Sequence, residues 1–124
     1  MLQVLDSDSS KIIDAVRSTG VVVTEAMRLY VDYIVSNMKS IGTWDLCNAV
    51  YGFVGGTAAS HKFNWKNPID TDGAFRLSFL GGGWIHSSSG AKPDVSGTLS
   101  YARTYLIPST MLILNSTHLS FMMM

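Results

Sequence analysis

Three histidines are the side chains of this 124-residue chain best suited to chemistry, because imidazole can bind a metal ion or carry a proton near neutral pH. We predict that His61, His86 and His118 lie on separate strands, where Asp70 or Asp72 could complete a metal site with them. No two of the histidines have the short spacing of a zinc-binding motif. The pattern therefore favours hydrogen-bonded structural histidines, and we predict no metal site.

The other reactive groups do not form a catalytic set, which requires a nucleophile held against an oriented base. The serines at 87–89 follow His86 directly, but adjacency along the chain does not create that geometry, and no Gly-x-Ser-x-Gly motif occurs. Asp70 and Asp72 have the spacing of turn carboxylates that accept backbone hydrogen bonds. Cys47 falls in the apolar stripe of a predicted helix, where we expect an inert thiol. We predict no enzymatic activity, no catalytic residue and no cofactor.

The composition excludes several functional classes. Hydrophobic residues make up 47% of the chain and charged residues 15%, a balance that a disordered protein does not have. Nine basic residues balance nine acidic ones and no basic run occurs, so no nucleic-acid partner is predicted. A single cysteine excludes an internal disulfide framework. The apolar stretch 21–35 is interrupted by Glu25, Arg28 and Asp32, so we predict no membrane insertion.

The first part of the chain has the period of amphipathic helices. A short helix is predicted over 11–18, with Ser10 as its cap. A longer helix opens at Thr24 and stops at Gly42. A third helix is predicted over 44–54. The expected apolar positions are Ile12, Ile13 and Val16 in the first helix; Met27, Tyr30, Val31, Ile34, Val35, Met38 and Ile41 in the second; and Trp44, Cys47, Val50, Tyr51 and Val54 in the third.

The second part of the chain changes to the two-residue period of strands. The apolar run at its end, 118–124, has no capping residue, so we expect it either to be covered by another chain or to belong to an unfinished sheet, and we favour the second interpretation. The patterns together predict an α+β protein with a helical segment at 1–56 and a β-rich segment at 57–124, packed together as one domain. The predicted strands are 75–79, 84–86, 98–107, 111–114 and 118–124, with a loop at 87–97.

Six runs of the sequence carry a resemblance to known proteins: 51–58, 60–64, 67–79, 82–93, 101–109 and 115–120. The most specific is Gly-Gly-Trp-Ile-His-Ser-Ser-Ser-Gly-Ala-Lys-Pro at 82–93. From Trp44 onward the chain resembles a group of uncharacterised structural proteins of tailed bacteriophages and their prophages, often from Bacteroidetes-type hosts. It departs from them at Arg103, where an acidic residue is usual, and at Ile85, where threonine is common.

The resemblance implies both a fold and a function. The matching part is similar to the opening of a longer concanavalin/laminin-G β-sandwich, so the expected fold is N-terminal helices followed by an antiparallel, partial jelly-roll-like β-sandwich. The implied function is that of a virion structural protein, tail or capsid-associated, that is assembled in the host cytoplasm. Its expected partners are other virion subunits or copies of itself, and it would act by assembly rather than by turning over a substrate.

Two alternatives stay open. Lectin-like sandwiches bind sugars, so the chain could be a carbohydrate-binding adhesion module that recognises a host glycan. In that case the expected ligand-binding residues are Trp84, His86, Ser88 and Tyr101. The chain could also be a truncated fragment of a larger virion protein.

Overall fold

The computed structural model describes residues 4–94, 99–113 and 116–120. Helices and strands both occur among them, which confirms the predicted α+β class. The helices are α1 (Ser7–Ser18), α2 (Glu25–Ser40), α3 (Ala58–His61) and α4 (Pro108–Met111), and single 3₁₀ turns lie at Trp44–Leu46 and Asp72–Ala74. The strands are β1 (Ser78–Leu80), β2 (Ile85–Ser87), β3 (Gly90–Lys92) and β4 (Tyr101–Arg103).

Local capping explains where the two long helices begin. The Asp6 carboxylate accepts a hydrogen bond from the Asp8 amide at 2.9 Å and caps α1, so the prediction of Ser10 as the cap is wrong. Thr24 caps α2 as predicted, because its hydroxyl accepts from the Met27 amide at 3.2 Å. Gly42 follows the end of α2 with a φ of 81°, the left-handed conformation that glycine adopts most readily.

The core lies where α1 and α2 meet the turn at Trp44–Leu46. Ile12, Ile13 and Val16 are buried on α1 as predicted, and Val31 and Val35 are fully buried on α2. The stripe predicted for α2 is too wide, since the side chains of Tyr30 and Ile41 are 50% and 74% exposed. Spaced four residues apart, the two valines lie one above the other on the helix and form the line that faces the core. Trp44, Val54 and Trp65 are buried in one cluster with Ile12, Ile13, Val31 and Val35.

The third predicted helix is wrong. The chain makes one 3₁₀ turn at Trp44–Leu46 and then runs on without regular structure to residue 57. The backbone N–H and C=O groups of Val50 form hydrogen bonds with residues farther along the chain, not with the next turn of a helix. The Val50 amide donates to the Asn64 side-chain oxygen at 3.0 Å, and the Val50 carbonyl accepts from the Trp65 amide at 2.7 Å. The long-range bonds replace the bonds within the segment that a helix would need.

The strands are shorter than predicted. Phe75 closes the turn at Asp72–Ala74 with a φ of 60°, so an extended strand cannot run through it, and β1 begins only at Ser78. The extended run predicted at 84–86 is confirmed by β2. The predicted loop at 87–97 instead contains β3, which pairs with β2 in an antiparallel hairpin.

The last part of the chain differs most from the prediction. Of residues 99–107, the described part of the predicted strand 98–107, only Tyr101–Arg103 form a strand, which pairs antiparallel with β1 and places Leu80 opposite Tyr101. The predicted strand 111–114 is wrong where it is described, because Pro108 begins the short helix α4. Residues 118–120 are not in a strand, and 121–124 lie outside the described residues. The described strands therefore form two separate two-stranded ladders, β1–β4 and β2–β3. None of the described helices combines the length and the apolar character needed to cross a membrane.

Candidate functional site

One turn of helix, α3, turns His61 toward the interior. Thr57 caps this turn, since its hydroxyl accepts from the Ser60 amide at 3.1 Å while the Ser60 hydroxyl accepts from the Thr57 amide at 3.2 Å. The chain enters the turn through Gly55 and Gly56, with φ angles of 107° and 76° that glycine adopts without strain. His61 is only 1% exposed, and it ends a helical turn rather than lying on the strand that the sequence predicts.

His61 forms a hydrogen-bonded pair with His86 of β2, and the bonds determine where the protons are. The two Nδ1 atoms are 2.9 Å apart, and His61 Nε2 accepts from the Gly56 amide at 3.1 Å. A nitrogen that accepts carries no proton, so neutral His61 holds its proton on Nδ1 and donates it to His86 Nδ1. His86 then holds its proton on Nε2, which is buried and has no hydrogen-bond partner among the described residues. We call these two side chains the histidine pair.

Aromatic rings enclose the histidine pair. The Phe53 ring lies edge-on to His61 with centroids 5.7 Å apart, and Phe79 lies edge-on to His86 at 4.5 Å. Trp84 stacks on His86 with centroids 6.3 Å apart and also meets Phe79 at 5.1 Å. These contacts join the segment before α3 to both strand ladders.

The apolar surroundings keep both imidazoles neutral. Burial, followed by the neighbouring His86, lowers the pKa of His61 from 6.5 to about 4. Burial also lowers the pKa of His86. Within the described ranges no group of three or more His, Cys, Asp or Glu side chains could hold a metal ion. Each pyridine-type nitrogen already accepts a hydrogen bond, so neither ring has a free lone pair for a metal ion.

The four predicted ligand-binding residues lie in or beside the strands β2 and β4. Trp84 contacts His86 and donates from its indole Nε1 to the Leu80 carbonyl at 2.9 Å. Tyr101 is opposite Leu80 in the β1–β4 register and is 51% exposed. Ser88 is exposed at the hairpin turn. The structure thus brings Trp84 and His86 into contact. Tyr101 lies opposite Leu80, whose carbonyl accepts the hydrogen bond from Trp84.

The other residues considered for chemistry lie elsewhere. His118 is exposed and belongs to no group of metal-ligating side chains within the described part of the chain. Asp70 forms ion pairs with Lys62 and Arg76, each at 2.6 Å, and these hydrogen bonds lower the pKa of its carboxyl group. Asp72 is 2.9 Å from the same Arg76 guanidinium. These carboxylates therefore stabilise the turn at 70–76 and do not face the histidine pair.

Cys47 and the pocket on α2 add no reactive set. Cys47 is half-buried and not disulfide-bonded. A pocket of about 400 Å³ opens on α2, but its lining contains a single ionisable carboxylate. The lining residues are Leu29, Asp32, Tyr33, Ser36 and Asn37. No protein-family model, no curated protein and no solved structure matches the chain.

Proposed function

We propose that this protein is a structural subunit of a tailed-phage or prophage virion, tail or capsid-associated, that acts by assembling with other virion subunits or with itself. The resemblance of its sequence from Trp44 onward supports this class. The observation that carries the proposal is the surface of residues 99–120. None of the described residues in this range is buried, and six of its large apolar side chains are exposed. They are Leu99, Tyr101, Ile107, Met111, Ile113 and Leu119.

Isolated exposed apolar residues are ordinary, but a whole segment without burial contributes little to the core of its own chain. Leu99 is 80% exposed, Ile113 73% and Leu119 84%. Covering such side chains with another subunit stabilises an assembly by about 25 cal/mol for each Å² of apolar surface removed from water. Assembly is therefore the use of this segment that best accounts for its composition.

The strand ladders support the same proposal. A two-stranded sheet has an unpaired edge on each side and is marginally stable alone, so it gains hydrogen bonds when another strand joins it. The β1–β4 ladder includes three exposed residues in β4. We propose that strands of neighbouring subunits extend these ladders into the partial jelly-roll-like sandwich that the resemblance implies.

The assembly proposal is tested by the mass of the protein in solution. We expect sedimentation at micromolar concentration to reveal oligomers, and Ile113→Glu combined with Leu119→Glu to raise the dissociation constant at least about tenfold, equivalent to 1.4 kcal/mol. Val22→Glu is the matched control, because Val22 is 83% exposed but lies in the first part of the chain. A monomer at all micromolar concentrations, or equal weakening by the control, contradicts the proposal.

Carbohydrate binding is the second candidate, and the placement of two aromatic rings favours it. Trp84 binds the Leu80 carbonyl and Tyr101 is opposite Leu80, so both rings belong to the same end of the β1–β4 ladder. Aromatic faces near each other can stack on sugar rings, and the exposed Ser88 offers a hydroxyl for hydrogen bonding. His86 contributes little directly, since its Nδ1 is hydrogen-bonded and its Nε2 is buried.

A glycan array of host surface polysaccharides tests this candidate. We expect Tyr101→Ala to weaken binding about tenfold or more, because it removes a stacking face that is half exposed. Tyr33→Ala is the control, since Tyr33 is 68% exposed on α2. Absence of any glycan binding by the unmodified protein removes this candidate.

A further inference from the structure

We propose that the histidine pair is an acid-released latch that holds the β2–β3 hairpin against α3 at neutral pH and lets it open when the imidazoles take up a proton. The proposal is independent of the assembly function. It rests on the hydrogen bonds among Gly56, His61 and His86, all of which are described residues.

The neutral pair has no free site for another proton. One acceptor nitrogen, His61 Nε2, is occupied by the Gly56 amide, and the other, His86 Nδ1, is occupied by His61 Nδ1–H. A proton added to either nitrogen sets two N–H donors against each other at about hydrogen-bond distance. The charged pair therefore keeps its hydrogen bonds only if a ring rotates or the two elements separate.

The latch joins parts of the chain that have few other connections. α3 contacts β3 of the hairpin, and a Cβ atom at Gly56 would contact the Ser87 and Ser88 backbone at 3.5 Å, so the glycine turn lies against the hairpin turn. β2 and β3 pair only with each other among the described strands. Release of the hairpin would expose the rings of Phe79 and Trp84 that now pack on His86.

No carboxylate contributes to the pKa of either imidazole of the histidine pair. The pKa of His61 is lowered by burial and by His86, and that of His86 by burial, without a contribution from a carboxylate. The charged groups on the elements packed against the pair interact elsewhere or are exposed. Lys62 forms an ion pair with Asp70, and Lys92 of β3 is exposed. On α1, Lys11 pairs with Asp8 and Arg17 pairs with Asp14. Asp94 follows β3 and has a partner of its own. A proton arriving at the pair is thus not stabilised by an adjacent anion.

The sign of the pH dependence follows from the lowered pKa values. Between the ordinary imidazole pKa of 6.5 and about 4, the open state binds more protons than the closed state, so acidification favours opening. An imidazole whose pKa returns from about 4 to 6.5 on opening makes the open population about thirtyfold larger at pH 5 than at pH 7.5.

The experiment measures amide hydrogen exchange of the hairpin between pH 7.5 and 5, corrected for the intrinsic exchange rate. We expect protection of residues 85–92 to fall about thirtyfold while that of α1 and α2 changes little. Imidazole ¹⁵N spectra of the unmodified protein should show His61 protonated on Nδ1 and His86 on Nε2 at pH 7.5. His118→Gln, which alters the exposed histidine outside the pair, should leave both results unchanged.

Two results overturn the proposal. One is a hairpin whose corrected protection is the same at pH 5 as at pH 7.5. The other is a ¹⁵N spectrum in which the rings have the opposite protonated nitrogens at neutral pH. Both measurements use the unmodified chain, so neither depends on a variant that fails to fold. His61→Gln, if folded, removes the imidazole whose pKa burial lowers to about 4 and should reduce the pH dependence of hairpin exchange.

Discussion

Asn64→Asp is expected to lower the free energy of unfolding at pH 7 by about 3 to 5 kcal/mol, because it buries a charge and removes the donor of a buried hydrogen bond. Asn64 is 1% exposed. Its Oδ1 accepts from the amides of Val50 and Lys66, each at 3.0 Å, and its Nδ2 donates to the Ala74 carbonyl at 3.1 Å. In the aspartate a carboxylate oxygen replaces the donor and faces that carbonyl, so two acceptors meet without a proton between them.

Urea unfolding followed by tryptophan fluorescence measures this loss. Asn67→Asp is the matched control, because Asn67 is exposed three residues away and should change the free energy of unfolding by no more than about 0.5 kcal/mol. If Asn64→Asp lowers the free energy of unfolding by less than about 1 kcal/mol, the Asn64 side chain does not join the Val50 amide to the Ala74 carbonyl by hydrogen bonds.

Gly52→Ala should lower the free energy of unfolding by about 3 kcal/mol, the upper range for adding a methyl group to a well-packed core. A Cβ atom at Gly52 would overlap with Cζ2 and Cη2 of Trp65. The indole is rigid, 2% exposed and packed in the main core cluster, so it cannot move aside without disturbing its neighbours. We also expect a change in the fluorescence spectrum of the folded protein.

Thermal or urea unfolding of Gly52→Ala beside Gly73→Ala isolates this clash. A Cβ atom at Gly73 has no neighbouring atom within 4 Å, so the control tests the loss of glycine flexibility without a steric conflict. The expected change for Gly73→Ala is within about 0.5 kcal/mol. If the two variants lose equal stability, the close approach of Trp65 to the backbone at Gly52 is not a feature of the folded protein.

The predictions that hold are those that depend on neighbours along the chain. Thr24 caps α2 because its hydroxyl reaches an amide three residues on, and Ile12, Ile13 and Val16 face the core because the helical period puts them on one side. Even so, local signals compete. Ser10 and Asp6 are both good caps, and the choice of Asp6 coincides with its tertiary ion pair to Lys39 at 2.7 Å.

The predictions that fail depend on distant partners. The apolar spacing at 44–54 suits a helix, but Asn64 and Trp65 form hydrogen bonds with the Val50 backbone, and the segment has no regular structure beyond the 3₁₀ turn at its start. The alternation at 75–79 suits a strand, but Phe75 adopts the left-handed conformation at the end of a 3₁₀ turn. The sequence predicts that Pro108 separates two strands, but in the structure Pro108 begins the short helix α4.

The candidate site combines both kinds of information. The sequence identified His61 and His86 as residues of interest but could not join them, because 25 positions separate the two in the chain. Their contact needs the glycine turn before α3 and the β2–β3 hairpin to come together. For the same reason the ring tautomers became evident only from the Gly56 amide and the distance between the two Nδ1 atoms.

The sequence by itself determined the α+β class, the positions of α1 and α2 and the extended run at β2, since caps and hydrophobic periods act over a few residues. Only the tertiary structure decided the irregular path after the turn at Trp44–Leu46, the two separate ladders and the histidine pair. These features satisfy buried polar groups with partners from far along the chain, and a local pattern carries no information about which distant group will supply the bond.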